Sequence, residues 1–270
     1  IMSEIKLMLG DCFDAMKTIE DNCIDLTVTS PPYDNLRTYN GNIKQWSFEK
    51  FKEIAKELYR VTKNGGVVVW IVSDATIKGS ETGTSFRQAL WFMNCGFNLH
   101  DTMIWNKNGF SAVGTLKKRY GSVFDYMFVF SKGTPKSFNP IMDRKNKHSN
   151  KRITRSKRLP DGSIKKEKPY ISREYGQRYN IWSIPPQKNK FHPAPFPEQL
   201  ASDHIISWSN PGDLIFDPFM GSGTTGKMAL LKSRKFIGIE IDEQYFEIAK
   251  NRIESCLNDI GGQDGLQKAI

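Results

Sequence analysis

A chain of 270 residues with 39% hydrophobic content can bury a full core, as one large domain or as a domain with an insertion. No apolar run approaches the roughly 20 residues that cross a bilayer, which excludes a membrane-spanning helix, and the absence of a signal-peptide pattern near the N-terminus predicts a cytoplasmic protein. The net charge of +10 is unevenly placed: residues 132–190 carry 17 lysines and arginines against four acids, a balance of +13 that leaves −3 for the rest of the chain.

In chain order, residues 5–9 (IKLML) read as a short strand ending at Gly10-Asp11, and residues 24–29 (IDLTVT) as another ending at Ser30. Residues 47–61 place Phe48, Phe51, Ile54, Ala55, Leu58 and Val61 at helical spacing, with Ser47 as the N-cap. Asn64-Gly65-Gly66 is expected to turn into the buried strand VVVWIV. A helix over 84–95 and strands over 97–105 and 125–130 continue an alternation that predicts an α/β fold with a mostly parallel, Rossmann-like sheet. Residues 132–190 break the rhythm. This stretch is too long for a loop in a compact domain and predicts a small basic insertion, partly disordered without its ligand. Clustered Lys and Arg release counterions from a phosphate backbone, so the expected partner is a polyanion. Regular structure resumes with a helix over 197–209, a strand over 213–219, a helix over 224–233, a strand over 236–241 and a helix over 243–257. A loose, glycine-bearing tail is expected after that.

The four cysteines form no CxxC and read as reduced structural thiols, and the four histidines lack ligand spacing, so no metal is expected. The richest local signal is DPFMGSGTTG, Asp217 to Gly226, between a strand and a helix. Glycine there lets a ligand approach the backbone, and the helix start adds N–H donors and positive potential. Glu240 follows at the end of the next strand, placed to bond the hydroxyls of a ribose. A nicotinamide cofactor is the obvious candidate, but a dinucleotide site needs several more βα units and only 44 residues follow Gly226. The N-terminal part must therefore complete the sheet, a circularly permuted arrangement. Its cyclic order runs from the glycine turn to Glu240, then Gly10-Asp11, then Thr29-Ser30-Pro31-Pro32-Tyr33.

Taken together, TSPPY, the basic insertion, FHPAPFPEQL, DPFMGSGTT and FIGIEID resemble the β group of DNA amino-methyltransferases. The resemblance covers most of residues 5–255 except the insertion. It implies S-adenosyl-L-methionine as cofactor and methylation of an exocyclic base nitrogen. It also implies that Ser30, Pro31, Pro32 and Tyr33 form the catalytic motif. Asp217, Pro218, Phe219, Gly221, Ser222, Gly223, Thr224, Thr225 and Glu240 would bind the cofactor. Asp11 would accept from the cofactor's adenine amino group, and Phe191 and His192 would line its methionine pocket beside Lys190. The implied organisation is a catalytic half over 1–131, a target-recognition insertion over 132–190, a cofactor half over 191–258 and a tail over 259–270. DNA is the implied partner; relatives are often dimers, and some belong to restriction-modification pairs with a cognate endonuclease.

The chemistry fits these residue types. A base amino group is a poor nucleophile because its lone pair is delocalised. The Pro31 carbonyl and the Ser30 side chain, accepting its two N–H hydrogens, would turn that lone pair toward a methyl donor. Two prolines hold the carbonyl still, and Tyr33 offers a face for the everted base. No firm role falls to Asp34. The resemblance also tilts the target slightly toward cytosine N4 over adenine N6, because family members with Ser before Pro-Pro more often modify cytosine N4. Carbon-5 cytosine methylation needs a cysteine nucleophile, usually after proline, and none of the four follows one. Two alternatives stand beside this reading, a nicotinamide-dependent oxidoreductase and a non-catalytic DNA-binding protein with a vestigial cofactor site. RNA as the acceptor is a weaker variant.

Overall fold

The computed structural model describes residues 5–32, 46–109, 118–187 and 197–267, which divide into two units, one of Pro140–Tyr179 and one of the rest. The larger unit begins with β1 (Ile5–Leu9), α1 (Cys12–Met16), β2 (Ile24–Thr29), α2 (Phe48–Val61), β3 (Thr62–Val72), a small hairpin of β4 (Thr76–Ile77) and β5 (Ser80–Glu81), α3 (Thr84–Asn94), β6 (Asn98–Asn106) and β7 (Phe124–Ser131). The smaller unit holds β8 (Arg144–Lys145), β9 (Arg152–Ile153), β10 (Ser156–Arg158), β11 (Ile164–Lys166), β12 (Tyr170–Ile171) and β13 (Tyr175–Gly176). The chain then returns with β14 (Ile181–Ser183), α4 (Glu198–Trp208), β15 (Leu214–Asp217), α5 (Thr224–Leu231), β16 (Lys235–Glu240) and α6 (Glu243–Gln267).

Eight strands form one sheet in the order β1-β16-β15-β2-β3-β7-β6-β14. Pairing is parallel except on the two sides of β7, which runs antiparallel to β3 and β6. The expected mostly parallel α/β sheet is thus present. The interior strands β16 and β15 come from the last quarter of the chain, and the N-terminal strands β1 and β2 fill the places on either side of them.

Both faces of the sheet are covered, which is why β3 is apolar at every position from Val67 to Val72. Val68, Trp70 and Val72 join Phe51, Ile54, Ala55 and Leu58 of α2 and Phe92 of α3 in one buried cluster that also takes in Met16 of α1. The Trp70 indole N–H, buried there, donates to Gln88 Oε1 at 2.9 Å. On the opposite face His204 Nε2 of α4 stands 3.2 Å from Met127 Sδ, and α5 and α6 press on Phe236 of β16. Ser47 caps α2 as the sequence predicts, its Oγ accepting from Lys50 N at 3.1 Å.

Three expectations need correcting. Asn64-Gly65-Gly66 does not separate α2 from its strand. β3 starts at Thr62 and absorbs the glycines as an irregularity, where the register against β2 jumps between Ile24 and Leu26. Gly65 takes φ +82°, and its N–H donates to Lys132 O at 2.6 Å, so strand-like bonding continues through the expected turn. At the other end, α6 runs to Gln267 through Gly261, Gly262 and Gly265, in place of the loose tail expected from residue 259. Glycine costs a helix about 1 kcal/mol per residue but removes no backbone donor, so a helix already nucleated can continue through it. The third concerns the basic segment. In place of partial disorder, residues 140–179 pair as β8 with β13, β9 with β12 and β10 with β11, all antiparallel. The pairs are nested, so the unit is an interrupted two-stranded ribbon closed by a turn at Leu159–Ser163. With polar side chains on both faces it shows no period-2 pattern; backbone bonds, invisible in composition, make it.

Candidate functional site

The strands β1, β16, β15 and β2 are parallel neighbours, so Gly10-Asp11, Glu240, Asp217 and Ser30-Pro31-Pro32 all leave the sheet at the same carboxyl edge. Chain order reverses between β15 and β2, and open α/β sheets bind ligands in the crevice at such a switch point. The structure thereby brings together motifs separated by nearly 190 residues.

At the end of β15 the glycine turn is tight. Gly221 and Gly223 both take left-handed conformations, φ +52° and +77°, and Gly223 N donates to Met220 O at 2.9 Å. A side chain at either would strain the turn. Ser222, Thr224 and Thr225 are buried beneath it, and Pro218 is buried at its start. Glu240, 9% exposed, closes the turn from the next strand: Oε2 accepts from Gly221 N at 2.7 Å and Oε1 from Asp242 N at 2.9 Å. Burial raises its carboxyl above the ordinary range even against these backbone donors. With the Ile241 N–H as a third backbone donor, the carboxylate's roughly four acceptor sites still leave room for one further donor.

Asp217 lies deeper, 1% exposed. Its Oδ1 accepts from Thr29 Oγ1 at 2.6 Å and from Phe219 N at 3.1 Å, and the Thr225 hydroxyl bonds to the same carboxyl. Thr225 Oγ1 also donates to Val28 O at 3.2 Å. Burial pushes the Asp217 carboxyl up to about 7, and the negative charge of Glu240 adds to the rise. This carboxyl ties the strand that carries the glycine turn to the strand that ends in Ser30-Pro31-Pro32.

Asp11 is the N-cap of α1. Its Oδ1 accepts from Phe13 N at 2.9 Å and Asp14 N at 3.3 Å and pairs with Lys50 Nζ at 3.1 Å. Gly10 beside it donates to Glu240 O at 2.8 Å, and a Cβ built on Gly10 would meet nothing within 4 Å. Cys12 is the cysteine nearest these strand ends. Burial, reinforced by the Asp11 charge, pushes its thiol up to about 12, so it is no thiolate nucleophile at neutral pH. Pro31 is buried, and Ser30 and Pro32 are half-buried. Tyr33, Asp34, Lys190, Phe191 and His192 lie outside the described residues.

Sequence reasoning missed three participants. Thr29 stands beside the catalytic motif, yet its value as a partner for Asp217 depends on the pairing of β15 with β2. Trp46 and Phe219 make a T-shaped contact with ring centroids 5.4 Å apart, and the Phe219 and Trp70 centroids lie 6.1 Å apart, which fixes the aromatic after Pro218. Arg252 of α6 reaches the turn itself, and only its i+3 spacing from Ala249 hinted at a shared helix face.

Comparison with known proteins agrees with this geometry. A family model described as DNA methylase, of the N6 and N4 type, matches residues 24–251. The orphan methyltransferase M.BamHII of Bacillus amyloliquefaciens is 56% identical over 252 residues, 89% of this chain and 92% of that protein. Among solved structures, the cytosine-N4-specific PvuII DNA methyltransferase superposes with a TM-score of 0.69 at 22% identity, covering 96% of this chain and 93% of that one. M1.HpyAVI, in complex with SAM, gives a TM-score of 0.60 at 24% identity over 92% of this chain and 99% of its own.

Proposed function

Because the chain belongs to the N6/N4 DNA methylase family, we propose that it methylates an exocyclic amino group of a base everted from DNA, with S-adenosyl-L-methionine as donor and cytosine N4 slightly favoured over adenine N6. The observation that carries the reading is the buried 2.6 Å bond from Thr29 to Asp217, which fixes the catalytic strand end beside the glycine turn. The donor set suits the cofactor: two left-handed glycines at a helix start, and a glutamate on the adjacent strand end with acceptor capacity to spare. When bound, S-adenosylmethionine supplies an electrophilic sulfonium methyl.

The chain's own residues then divide the work. The turn from Pro218 to Thr225 cradles the methionine end with Phe191 and His192, Glu240 takes the ribose hydroxyls, and Asp11 accepts from the adenine amino group while capping α1. Asp217 acts from below as a brace. The Pro31 carbonyl and Ser30 hold the target amino group by its two N–H hydrogens, and Tyr33 stacks on the base. The sheet order β1-β16-β15-β2 supports the β-group, circularly permuted ordering of these motifs. Target recognition falls to the basic unit Pro140–Tyr179. Neither the nicotinamide oxidoreductase nor the non-catalytic binder gains support from the relatives, which carry methyltransferase names. A cytoplasmic location follows from this function, and among the described residues no helix is long and apolar enough to cross a membrane. A dimer remains the expectation for the assembly, read by light scattering. Pairing with a cognate endonuclease is the weaker expectation, since the 56% identical relative is named an orphan.

Digesting DNA after incubation with the protein and labelled cofactor should yield N4-methylcytosine; N6-methyladenine would move the target, and no methylated base would end the reading. Pro31→Ala frees the carbonyl and should lower kcat at least tenfold at unchanged cofactor affinity, an effect on the order of 1.4 kcal/mol. Full turnover by Pro31→Ala would remove the catalytic assignment.

A further inference from the structure

Arg252 projects from α6 onto the glycine turn. Its Nη1 donates to Ser222 O at 3.0 Å and Thr224 Oγ1 at 3.1 Å, with Ser222 Oγ at 3.4 Å. Its Nη2 pairs with Glu198 Oε1 at 2.5 Å, and Lys227 Nζ of α5 reaches the same oxygen at 2.8 Å. Burial pushes the Glu198 carboxyl up, but the two cations outweigh it and hold it below its ordinary value. Glu198 is the first residue of α4, directly after the FHPAPFP segment. The hub therefore joins the turn, the start of α4 and α6.

The backbone around it is shaped for this approach. A Cβ on Gly223 would stand 3.0 Å from Ala249 Cβ, and one on Gly226 would stand 2.7 Å from Ile253 Cδ1. Ala249, Arg252 and Ile253 share one face of α6 at i, i+3 and i+4 spacing. Glycine lets that face approach the turn, and the guanidinium then takes a turn carbonyl that the helix ladder of α5 leaves unpaired.

We infer that Arg252 is a positioning residue for the cofactor: it sets the curvature of the turn and, through Glu198, locks the turn to the start of α4. The inference rests on the cofactor reading above. It requires that removing the guanidinium loosen cofactor binding selectively. No contact from Arg252 to Ser30, Pro31 or Pro32 is involved.

The test compares Arg252→Gln, Arg252→Lys and Glu198→Gln by calorimetric titration with S-adenosylmethionine and by steady-state kinetics. Arg252→Gln should raise both Kd and KM for the cofactor about tenfold, since it removes charge-assisted bonds to a buried turn. The kcat at saturating cofactor and the KM for DNA should move less than about twofold. Arg252→Lys keeps the charge beside Glu198 without the planar fork, and should fall between wild type and Arg252→Gln. Glu198→Gln should add little to the Arg252→Gln effect in the double variant. Should Arg252→Gln fold poorly, Arg252→Lys and Glu198→Gln carry the comparison. Unchanged cofactor affinity in the variants, beside normal wild-type binding, overturns the inference alone, as does an equal weakening for cofactor and DNA. A wild-type protein that binds no S-adenosylmethionine takes down the cofactor reading and this inference with it.

Discussion

Asp217 sits where the strand carrying the glycine turn meets the strand carrying Ser30-Pro31-Pro32, and burial raises its carboxyl from 3.8 to about 7. An acid raised on folding keeps its proton in the native chain at pH values where the unfolded chain has lost it. Its contribution to stability is therefore fully present below about pH 4 and is lost as pH rises through about 7. The melting temperature of the wild type should accordingly fall between pH 5 and pH 8. Asp217→Asn, neutral and still able to accept from Thr29 and Phe219 N, should flatten that slope. A variant with the wild-type slope would assign it to other groups. Asp217→Ala strands the Thr29 hydroxyl and the Phe219 N–H and should cost about 1–3 kcal/mol at any pH. The motif DPF marks Asp217 in the sequence, but not that its carboxyl faces inward. That depends on which strand lies next to β15, a fact held by residues 188 positions away.

At the scale of elements, α5 is short and its fit against β16 and α6 depends on Gly226. Propensity alone says that Gly226→Ala should stabilise the helix by about 1 kcal/mol. Packing says otherwise, because the new methyl would lie 2.6 Å from Phe236 Cε1 and 2.7 Å from Ile253 Cδ1, both buried. Overpacking of this kind costs about 1–3 kcal/mol, so the net result should be a lower Tm and a weaker cofactor turn; a higher Tm would show that β16 yields easily. The larger elements were legible because their signals are local. The helical spacing of Phe51, Ile54, Ala55 and Leu58 with Ser47 as cap fixed α2, and the unbroken VVVWIV run marked a strand covered on both faces. What escaped was non-local. Gly65-Gly66 looks like a turn until Lys132 supplies the partner that keeps it in the sheet, and the basic ribbon has no apolar alternation to betray it.

For the whole molecule the question is why a chain whose remainder is nearly neutral should gather 13 lysines and arginines against four acids within Pro140–Tyr179. Stability of the unit is not the answer. An isolated two-stranded ribbon is marginal in water, and here Lys157 and Lys165, both exposed, stand directly opposite each other in the ladder. Like charges so placed cost stability, which makes sense when the compensating charge comes from a phosphate backbone. A two-stranded ribbon also fits the major groove of B-DNA, where base edges are distinguishable. Replacing both residues, Lys157→Gln with Lys165→Gln, should leave cofactor affinity unchanged and thermal stability equal or slightly higher. DNA affinity should fall, and the slope of log K against log salt should shrink by about 0.9 for each phosphate no longer neutralised, about 1.8 if both lysines neutralise one. Titrations across a salt series separate the outcomes. A smaller slope with equal weakening on specific and random duplexes makes the pair backbone clamps, a larger weakening on the methylated sequence makes them readers of bases, and an unchanged slope removes the ribbon from the DNA interface.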